Sequence, residues 1–178
     1  MGIDPGTNVM GYGIIKVVGN RAEMVAMGVI DLRKEGDMYL RLGKIFQRVT
    51  GIINSYLPDE VAIESPFFGK NVQSMLKLGR AQGVAMAAAI NRSIPITEYA
   101  PLKIKMSITG NGSASKEQVA MMIQKTLKVS LDPKYLDATD ALAIALCHHY
   151  QMSNPLAGAG GKTDWKKFLA DNPERIKK

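Results

Sequence analysis

The amino-acid sequence predicts an α/β fold of three layers, in which helices flank a mixed sheet of five strands. Strand-like segments fill the first third of the 178 residues, an amphipathic helix follows, and short apolar strands then alternate with helices. A hydrophobic content of 46% is enough to bury one core. We therefore expect one domain over residues 1–151, followed by a flexible, charged C-terminal tail over residues 152–178.

The first three predicted strands lie close together in sequence and are expected to form an antiparallel meander. The first strand ends at the turn residues Asp4-Pro5-Gly6, and it is expected to be short because only one residue precedes Gly2. Glycine-punctuated apolar residues then cover 9–18, Gly19-Asn20 forms a turn, and a second apolar run covers 22–30.

From Leu42 onward the apolar spacing changes to that of an amphipathic helix. The apolar positions of this helix are Ile45, Phe46, Val49, Ile52, Ile53 and Tyr56. Leu57-Pro58-Asp59 ends the helix, and residues 61–63 predict a short buried strand. A helix rich in alanine and glycine over 72–91 and a strand over 94–99 complete the sheet.

Three further helices are expected in the last part of the domain. Pro101 suits the first turn of a short helix that ends at Gly110, because the N–H that proline lacks is unpaired there in any case. Ser115 and Gln118 have the spacing of a capping box, which predicts the start of a second helix. The apolar run from about residue 137 to residue 150 predicts the third.

The formal net charge of +7 favours a polyanionic partner. Most of this charge falls between Ser65 and Lys116, where seven basic residues accompany Glu98 as the single acid, a balance of +6. The basic residues are Lys70, Lys77, Arg80, Arg92, Lys103, Lys105 and Lys116. The excess is therefore concentrated in one third of the chain, and nucleic acid is the expected partner.

A single cysteine, Cys147, excludes an intramolecular disulfide framework and offers no CxxC metal spacing. Cys147-His148-His149 is not expected to bind zinc, because three consecutive helical residues point in different directions. No segment approaches the roughly 20 apolar residues that cross a bilayer, and no apolar leader follows a basic N-terminus. A cytoplasmic protein that does not enter a membrane is expected.

Four carboxylates occur at the ends of predicted elements, and they are the candidate catalytic residues. These are Asp4, Glu64, Asp137 and Asp140. Individually, Asp4 also suits a turn, and Asp137 with Asp140 also suits a helix cap and helix dipole. Gathered by a compact fold, four acids would repel one another without a cation. Oxygen ligands suit Mg²⁺, which activates water against a phosphodiester, so a metal-dependent nuclease is predicted.

Phe67 and Phe68 follow Glu64 closely and precede Lys70. One exposed ring could stack on an unpaired base or wedge into a junction, whereas core packing is the alternative for either ring. Neither GxxxxGK[ST] nor GxGxxG is present, so the sequence gives no support to a P-loop or dinucleotide site.

Five segments, taken in order and spacing, resemble those of the bacterial RuvC-type Holliday-junction resolvases over residues 1–151. They are GIDPGTNVMGYG, VAIESPFFGKN, LKLGRAQGVAMAAA, GNGSASKEQV and DATDALAIALCH. The resemblance implies a ribonuclease H-like fold, a homodimer and Mg²⁺-dependent symmetric nicking of four-way DNA junctions in recombination and repair. It also implies a branch-migration complex as partner, two Mg²⁺ ions per active site and Mn²⁺ as a substitute.

The resemblance also implies roles for individual residues. Asp4, Glu64, Asp137 and Asp140 match the metal-binding catalytic residues of that family. Phe67 matches an aromatic that stacks on bases near the junction centre, and Lys105 and Lys116 match basic residues near the DNA backbone and the scissile bond. The further candidate DNA contacts are Phe68, Lys70, Lys77 and Arg80.

Three other functions remain open from the sequence. A ribonuclease H-like nuclease acting on RNA or an RNA–DNA hybrid needs the same acids but recognises the 2′-hydroxyl. An ATP-binding relative of actin and the sugar kinases shares Asp-x-Gly-Thr, although such proteins need two domains of this kind. A noncatalytic junction-binding module is the third. Small residues at 79, 83 and 87 of the alanine-rich helix are four apart, which suits either a dimer contact or packing on the chain's own sheet.

Overall fold

The computed structural model describes residues 1–66, 71–131 and 136–153, and these ranges form a mixed sheet with helices on both faces. The strands are β1 (Gly2–Asp4), β2 (Val9–Val18), β3 (Arg21–Asp31), β4 (Val61–Glu64) and β5 (Ile96–Tyr99). The helices are α1 (Met38–Tyr56), α2 (Val72–Ile90), α3 (Pro101–Thr109), α4 (Lys116–Leu127) and α5 (Leu136–Met152). The predicted three-layer α/β fold is confirmed. The boundary of the domain at residue 151 stays a prediction, since residues 154–178 lie outside the described ranges.

The sheet has the strand order β3-β2-β1-β4-β5. β1, β2 and β3 pair in antiparallel fashion, as the short turns between them predict. β4 and β5 run parallel to β1, each reached through a helical crossover. β1 has three residues, as expected, and it lies between β2 and β4, where it pairs on both sides. The C-terminal ends of β1 and β4 therefore lie side by side.

Local capping explains where the helices begin. Helix α1 starts at Met38, four residues before Leu42, where the predicted pattern begins. The Asp37 carboxylate caps this start, because it accepts a hydrogen bond from the backbone N–H of Leu40. The predicted capping box of Ser115 and Gln118 is present at the start of α4. Helix α3 begins at Pro101 and ends at Gly110, as predicted, with Gly110 at φ 73°.

Two buried clusters lie on opposite faces of the sheet. On one face, α1 and α2 pack on Ile3, Ile63 and neighbouring residues, with Ile45, Val49 and Ala85 fully buried. On the other face, α3, α4 and α5 enclose a cluster that includes Ala62 and Tyr99 of the sheet and Leu142 of α5. Helix α5 is buried along most of its length, which makes it the central element of its layer.

Helix α5 lies against the sheet almost backbone to backbone, because glycines of β1 and β2 face it. A Cβ atom at Gly11 would lie 2.0 Å from the carbonyl oxygen of Asp137, and one at Gly2 would lie 2.1 Å from the carbonyl oxygen of Ala141. A Cβ atom at Gly13 would lie 2.7 Å from the backbone nitrogen of Leu142. Any larger residue at these positions would push the first turns of α5 away from the sheet.

Candidate active site

Asp4 and Glu64 end two neighbouring parallel strands and point to the same face of the sheet. Gly2 is paired with Ala62 across these strands, and both of those residues contact the α5 layer. Because side chains alternate along a strand, the residues two positions further on, Asp4 and Glu64, face α5 as well. Both side chains are half-buried. The parallel pairing therefore brings two carboxylates from residues 60 positions apart to one edge.

The other two predicted acids come from the start of α5. Asp137 is the second residue of that helix, so it lies within the first turn, and Asp140 follows three residues later on the same side. Carboxylate oxygens of Asp4, Asp137 and Asp140 lie within 4.8 Å of one another. This is the separation at which oxygen ligands surround one cation, and it is set by the close packing of α5 on Gly11.

Glu64 is not one of these three acids, but it lines a pocket together with Asp4 and Asp140. The pocket is lined by Asp4, Glu64, Pro101, Ile104, Lys105, Lys116, Val119, Asp140 and Ala143. The pKa of Glu64 is raised by burial and, to a smaller extent, by the charge of Asp140. Among its described lining residues the pocket has carboxylate oxygens and neither sulfur nor imidazole, so its chemistry fits a divalent cation such as Mg²⁺.

Asp4 is the acid of the site whose ionised form is disfavoured most. Burial, followed by the charges of Glu64 and Asp140, raises its pKa from 3.8 to about 8, although Lys116 opposes this shift. An acid crowded in this way is neutral near pH 7 unless a cation offsets its neighbours. Metal binding and ionisation of Asp4 are therefore linked.

The two predicted lysines lie at the same pocket. Lys116 Nζ donates a hydrogen bond to Asp140 Oδ2 at 2.6 Å, and this contact raises the pKa of Lys116. Lys105 lies on α3 near Glu64, where its charge opposes the rise of the Glu64 pKa. The side chain of Lys116 is 55% exposed, which leaves it free to reorient toward a substrate.

Of the remaining predicted DNA contacts, the two that the structure describes, Lys77 and Arg80, do not line this pocket. Lys77 and Arg80 are exposed on α2, and Lys77 borders a separate cleft with Arg41, Thr7 and Asn8. Phe67, Phe68 and Lys70 lie outside the described residues. The sequence interpretation missed Arg41, because no local pattern marks it.

Arg41 anchors the loop that follows Asp4. Its Nη1 donates to the carbonyl oxygen of Thr7 at 2.8 Å and to Asn8 Oδ1 at 2.7 Å, and its Nε donates to the carbonyl oxygen of Glu35 at 3.3 Å. Helix α1 is thereby joined to the loop that leaves the active site.

In the described ranges, the side chains of Cys147 and His148 contact different neighbours. His148 is buried, with its Nδ1 2.8 Å from the hydroxyl of Tyr99 and its Nε2 bonded to Glu60. The Sγ of Cys147 contacts the hydroxyl of Ser107 at 3.4 Å. These residues therefore connect α5 to the neighbouring elements. Among the described residues, no helix is long and apolar enough to cross a bilayer.

Comparison with known proteins gives concordant matches. A family model described as crossover junction endodeoxyribonuclease RuvC matches residues 1–148. The crossover junction endodeoxyribonuclease RuvC of Bacteroides fragilis is 65% identical over 99% of this chain and 95% of its own length. The protein of the same name from Porphyromonas gingivalis is 59% identical over 99% of this chain and 96% of its own length.

Solved structures agree with these sequence matches. The RuvC structure from Thermus thermophilus has a TM-score of 0.77 at 32% identity and covers 85% of this chain and 93% of its own. T. thermophilus RuvC in complex with a Holliday junction substrate has a TM-score of 0.79 at 32% identity, with 85% and 92% coverage. A yeast mitochondrial Holliday junction resolvase, at 13% identity and a TM-score of 0.63, shares the fold.

The strain at Asp4 predicts how stability depends on pH without metal. The unfolded chain releases this proton near 3.8, whereas the folded protein holds it to about pH 8. Between these values the unfolded state binds fewer protons, so stability falls as pH rises. Asp4→Asn removes this loss and should be more stable than wild type at pH 8 in EDTA by at least ~1.4 kcal/mol, the equivalent of one pKa unit.

Urea unfolding at several pH values from 5 to 9 measures this difference, with Glu23→Gln, a change at an exposed acid of β3, as the matched control. The gain of Asp4→Asn should grow with pH, and Mg²⁺ should stabilise wild type more than the variant. An Asp4→Asn protein that is no more stable than wild type at pH 8 would contradict the crowding of acids at this site.

Proposed function

The chain belongs to the RuvC family of crossover junction endodeoxyribonucleases, and on this premise we propose that it resolves four-way DNA junctions through the carboxylate pocket at the ends of β1, β4 and α5. The observation that supports the proposal best is the convergence of Asp4, Asp137 and Asp140 within 4.8 Å, at a pocket that also holds two lysines. The resemblance identified from the sequence motifs is confirmed, and with it the ribonuclease H-like fold.

The pocket residues have separate tasks in this reaction. Asp4, Asp137 and Asp140, together with Glu64, would hold two Mg²⁺ ions, with Mn²⁺ as a substitute. When bound, such ions lower the pKa of a water nucleophile and stabilise the leaving oxygen of an in-line displacement. Lys116 is placed to offset negative charge on the scissile phosphate once a cation takes its place beside Asp140. The products are a 3′ hydroxyl and a 5′ phosphate.

DNA is held by the basic surface around this pocket. Lys105 and Lys116 lie at the pocket itself, and Lys77 and Arg80 extend the positive charge along α2. Contacts of this kind position the backbone and make binding dependent on salt. Phe67, Phe68 and Lys70 belong to the same proposal, on the strength of their place in the sequence directly after Glu64.

Among the alternative functions, an RNA or RNA–DNA hybrid substrate is the one that must be tested directly. It uses the same carboxylates, so the pocket alone does not distinguish this substrate from a DNA junction. The ATP-binding alternative is set aside, because the family match covers residues 1–148. The noncatalytic alternative is set aside as well, since the family is one of endonucleases.

A homodimer would place two such pockets on one two-fold substrate. Helix α2 has one side of small residues that packs within the chain and a second such side that is exposed. The exposed side is the proposed contact with a second copy. Ala81, Ala85 and Ala88 are buried within the chain, whereas Gly83 and Ala87 are exposed on the opposite side. A Cβ atom at Gly83 would meet nothing within 4 Å, so a second copy can approach closely there.

The family resemblance also leads us to propose a branch-migration complex as a further partner of the protein. A cytoplasmic location is part of the same proposal.

Junction cleavage tests the function. With Mg²⁺, the protein should make paired, symmetric nicks in a labelled four-way junction and leave linear duplex and RNA–DNA hybrid largely intact. Asp140→Asn should lower the cleavage rate by about 100-fold or more while junction binding in Ca²⁺ is kept, because the change removes a metal ligand and leaves the basic surface intact.

Asp59→Asn serves as the control for Asp140→Asn and should cut at the rate of wild type. Preferential cutting of the hybrid would support the RNA-directed alternative instead. Cutting by Asp140→Asn at the wild-type rate would show that the pocket is not the active site.

A bulky residue on the exposed side of α2 tests the proposed dimer. Gly83→Trp places a bulky ring on the proposed contact and should shift the protein from dimer to monomer in sedimentation velocity, with an unchanged circular dichroism spectrum. Gly51→Trp is the matched control, because Gly51 is an exposed glycine of α1 with nothing near its Cβ position. A Gly83→Trp protein that remains a dimer would show that this face of α2 is not the dimer contact.

A further inference from the structure

The backbone at Glu64 lacks the hydrogen-bond donor that the sheet would normally supply. The N–H of Ala62 donates to the carbonyl oxygen of Met1 at 2.8 Å, so even-numbered residues of β4 bond toward β1. Continuing this parallel register by two residues places the nitrogen of residue 5 opposite the carbonyl oxygen of Glu64. Residue 5 is Pro5, which has no N–H, so the ladder ends one bond early.

The side chain of Gln82 supplies the missing donor. Its Nε2 donates to the carbonyl oxygen of Glu64 at 3.2 Å. Gln82 comes from α2, on the face of the sheet opposite the metal pocket, and it is only 5% exposed. It borders a small cavity whose other lining residues include Asp4, Pro5 and Glu64. A buried amide in this place is costly unless it is fully bonded, which points to a specific role.

Glu98 fixes the orientation of the amide. The same Nε2 donates to Glu98 Oε2 at 2.9 Å, and a carboxylate accepts hydrogen bonds only. The NH₂ end of Gln82 therefore points to the end of β4, with one proton for Glu98 and one for Glu64. Glu98 is also the single acid between Ser65 and Lys116, so its presence in this basic segment has a structural explanation.

We propose that Gln82 is a positioning residue for the active site: with Glu98 it replaces the ladder donor lost at Pro5 and so holds the Glu64 carboxylate at the metal pocket. Because Gln82 touches the backbone of Glu64 and no reacting atom, its effect is on geometry alone. Partners of this kind influence metal affinity by about 10- to 100-fold. The inference rests on the proposed metal-dependent nuclease.

Metal binding by the free protein tests this role. Gln82→Met keeps the volume and removes both hydrogen bonds, and calorimetric titration should find Mn²⁺ bound about 10-fold more weakly than by wild type. In cleavage, the Mg²⁺ concentration for half-maximal rate should rise by a similar factor, while the rate at saturating Mg²⁺ stays within about threefold. Unchanged Mn²⁺ affinity in a folded Gln82→Met protein would overturn the proposal.

Gln124→Met is the matched control. Gln124 Oε1 accepts a hydrogen bond from the backbone N–H of Leu131 at 3.2 Å, so this change also removes a bond between a glutamine side chain and the backbone. Gln124 lies eight residues along α4 from Lys116, about 12 Å at the rise of a helix. Its replacement should leave Mn²⁺ affinity unchanged, and an equal loss in both variants would overturn a specific role of Gln82.

A double change separates positioning from general packing. In Gln82→Glu with Glu98→Gln, donor and acceptor exchange places, so the bond between the two side chains is restored while the donor to Glu64 is lost. Compared with Gln82→Met, the thermal stability of the double variant should return toward that of wild type, whereas its Mn²⁺ affinity should stay low. Recovery of both thermal stability and Mn²⁺ affinity would show that the hydrogen bond from Gln82 to Glu64 does not affect metal binding.

Wild type and Asp4→Asn, titrated in parallel, separate this inference from the proposed function. Mn²⁺ binding by wild type that Asp4→Asn abolishes supports the metal pocket, and the Gln82 variants then decide the inference alone. Wild type that binds no Mn²⁺ would overturn the pocket and the inference together.

Discussion

The close approach of α5 to the sheet is the constraint on which the site depends. Gly2, Gly11 and Gly13 add no side chains of their own between the strands and the helix, so at these positions backbone lies against backbone. Asp137 is carried on the turn that touches Gly11, and Gly11 is paired with Asp4 across the sheet. A layer spacing with ordinary side chains would hold these carboxylates several ångströms further apart. The metal pocket thus follows from residues that carry no functional group.

The same close packing crowds the acidic side chains, and their charged forms repel one another. Burial and neighbouring acids raise the pKa of Asp4 to about 8, and Lys116 offsets part of this by bonding to Asp140. Ionisation of Asp4 is therefore disfavoured in the folded protein near neutral pH. A bound cation would offset this repulsion, so the acids that are crowded in the free protein are those proposed to bind metal. A basic surface around an acidic pocket suits a substrate made of phosphates.

Local patterns made most of the fold predictable. The capping box at Ser115, the proline at the start of α3 and the apolar spacing of α1 each act over a few residues, and each prediction is confirmed. That the four carboxylates come together was also predictable, because Asp4 and Glu64 end strands and Asp137 and Asp140 lie near the start of α5. Their distances were not, since these depend on how closely α5 packs.

The residues that local patterns could not identify act across long sequence separations. Arg41 bonds to Thr7 and Asn8, more than 30 residues earlier in the chain. Gln82 matters only because Pro5 removes a donor from a strand paired with β4. A proline in the sequence indicates a missing N–H, but only the strand register identifies the carbonyl group that loses its partner. Such residues become visible once the pairing of β1 with β4 is known.

Titration of Mn²⁺ into Gly11→Ala by calorimetry tests the central claim most directly, with Gly43→Ala as the control. A Cβ atom at Gly11 would lie 2.0 Å from the carbonyl oxygen of Asp137, whereas one at Gly43 would meet nothing within 4 Å. We predict that Gly11→Ala keeps its helical circular dichroism signal but binds Mn²⁺ at least about 10-fold more weakly, while Gly43→Ala binds as wild type does. Wild-type affinity in Gly11→Ala would contradict the claim that the approach of α5 builds the site.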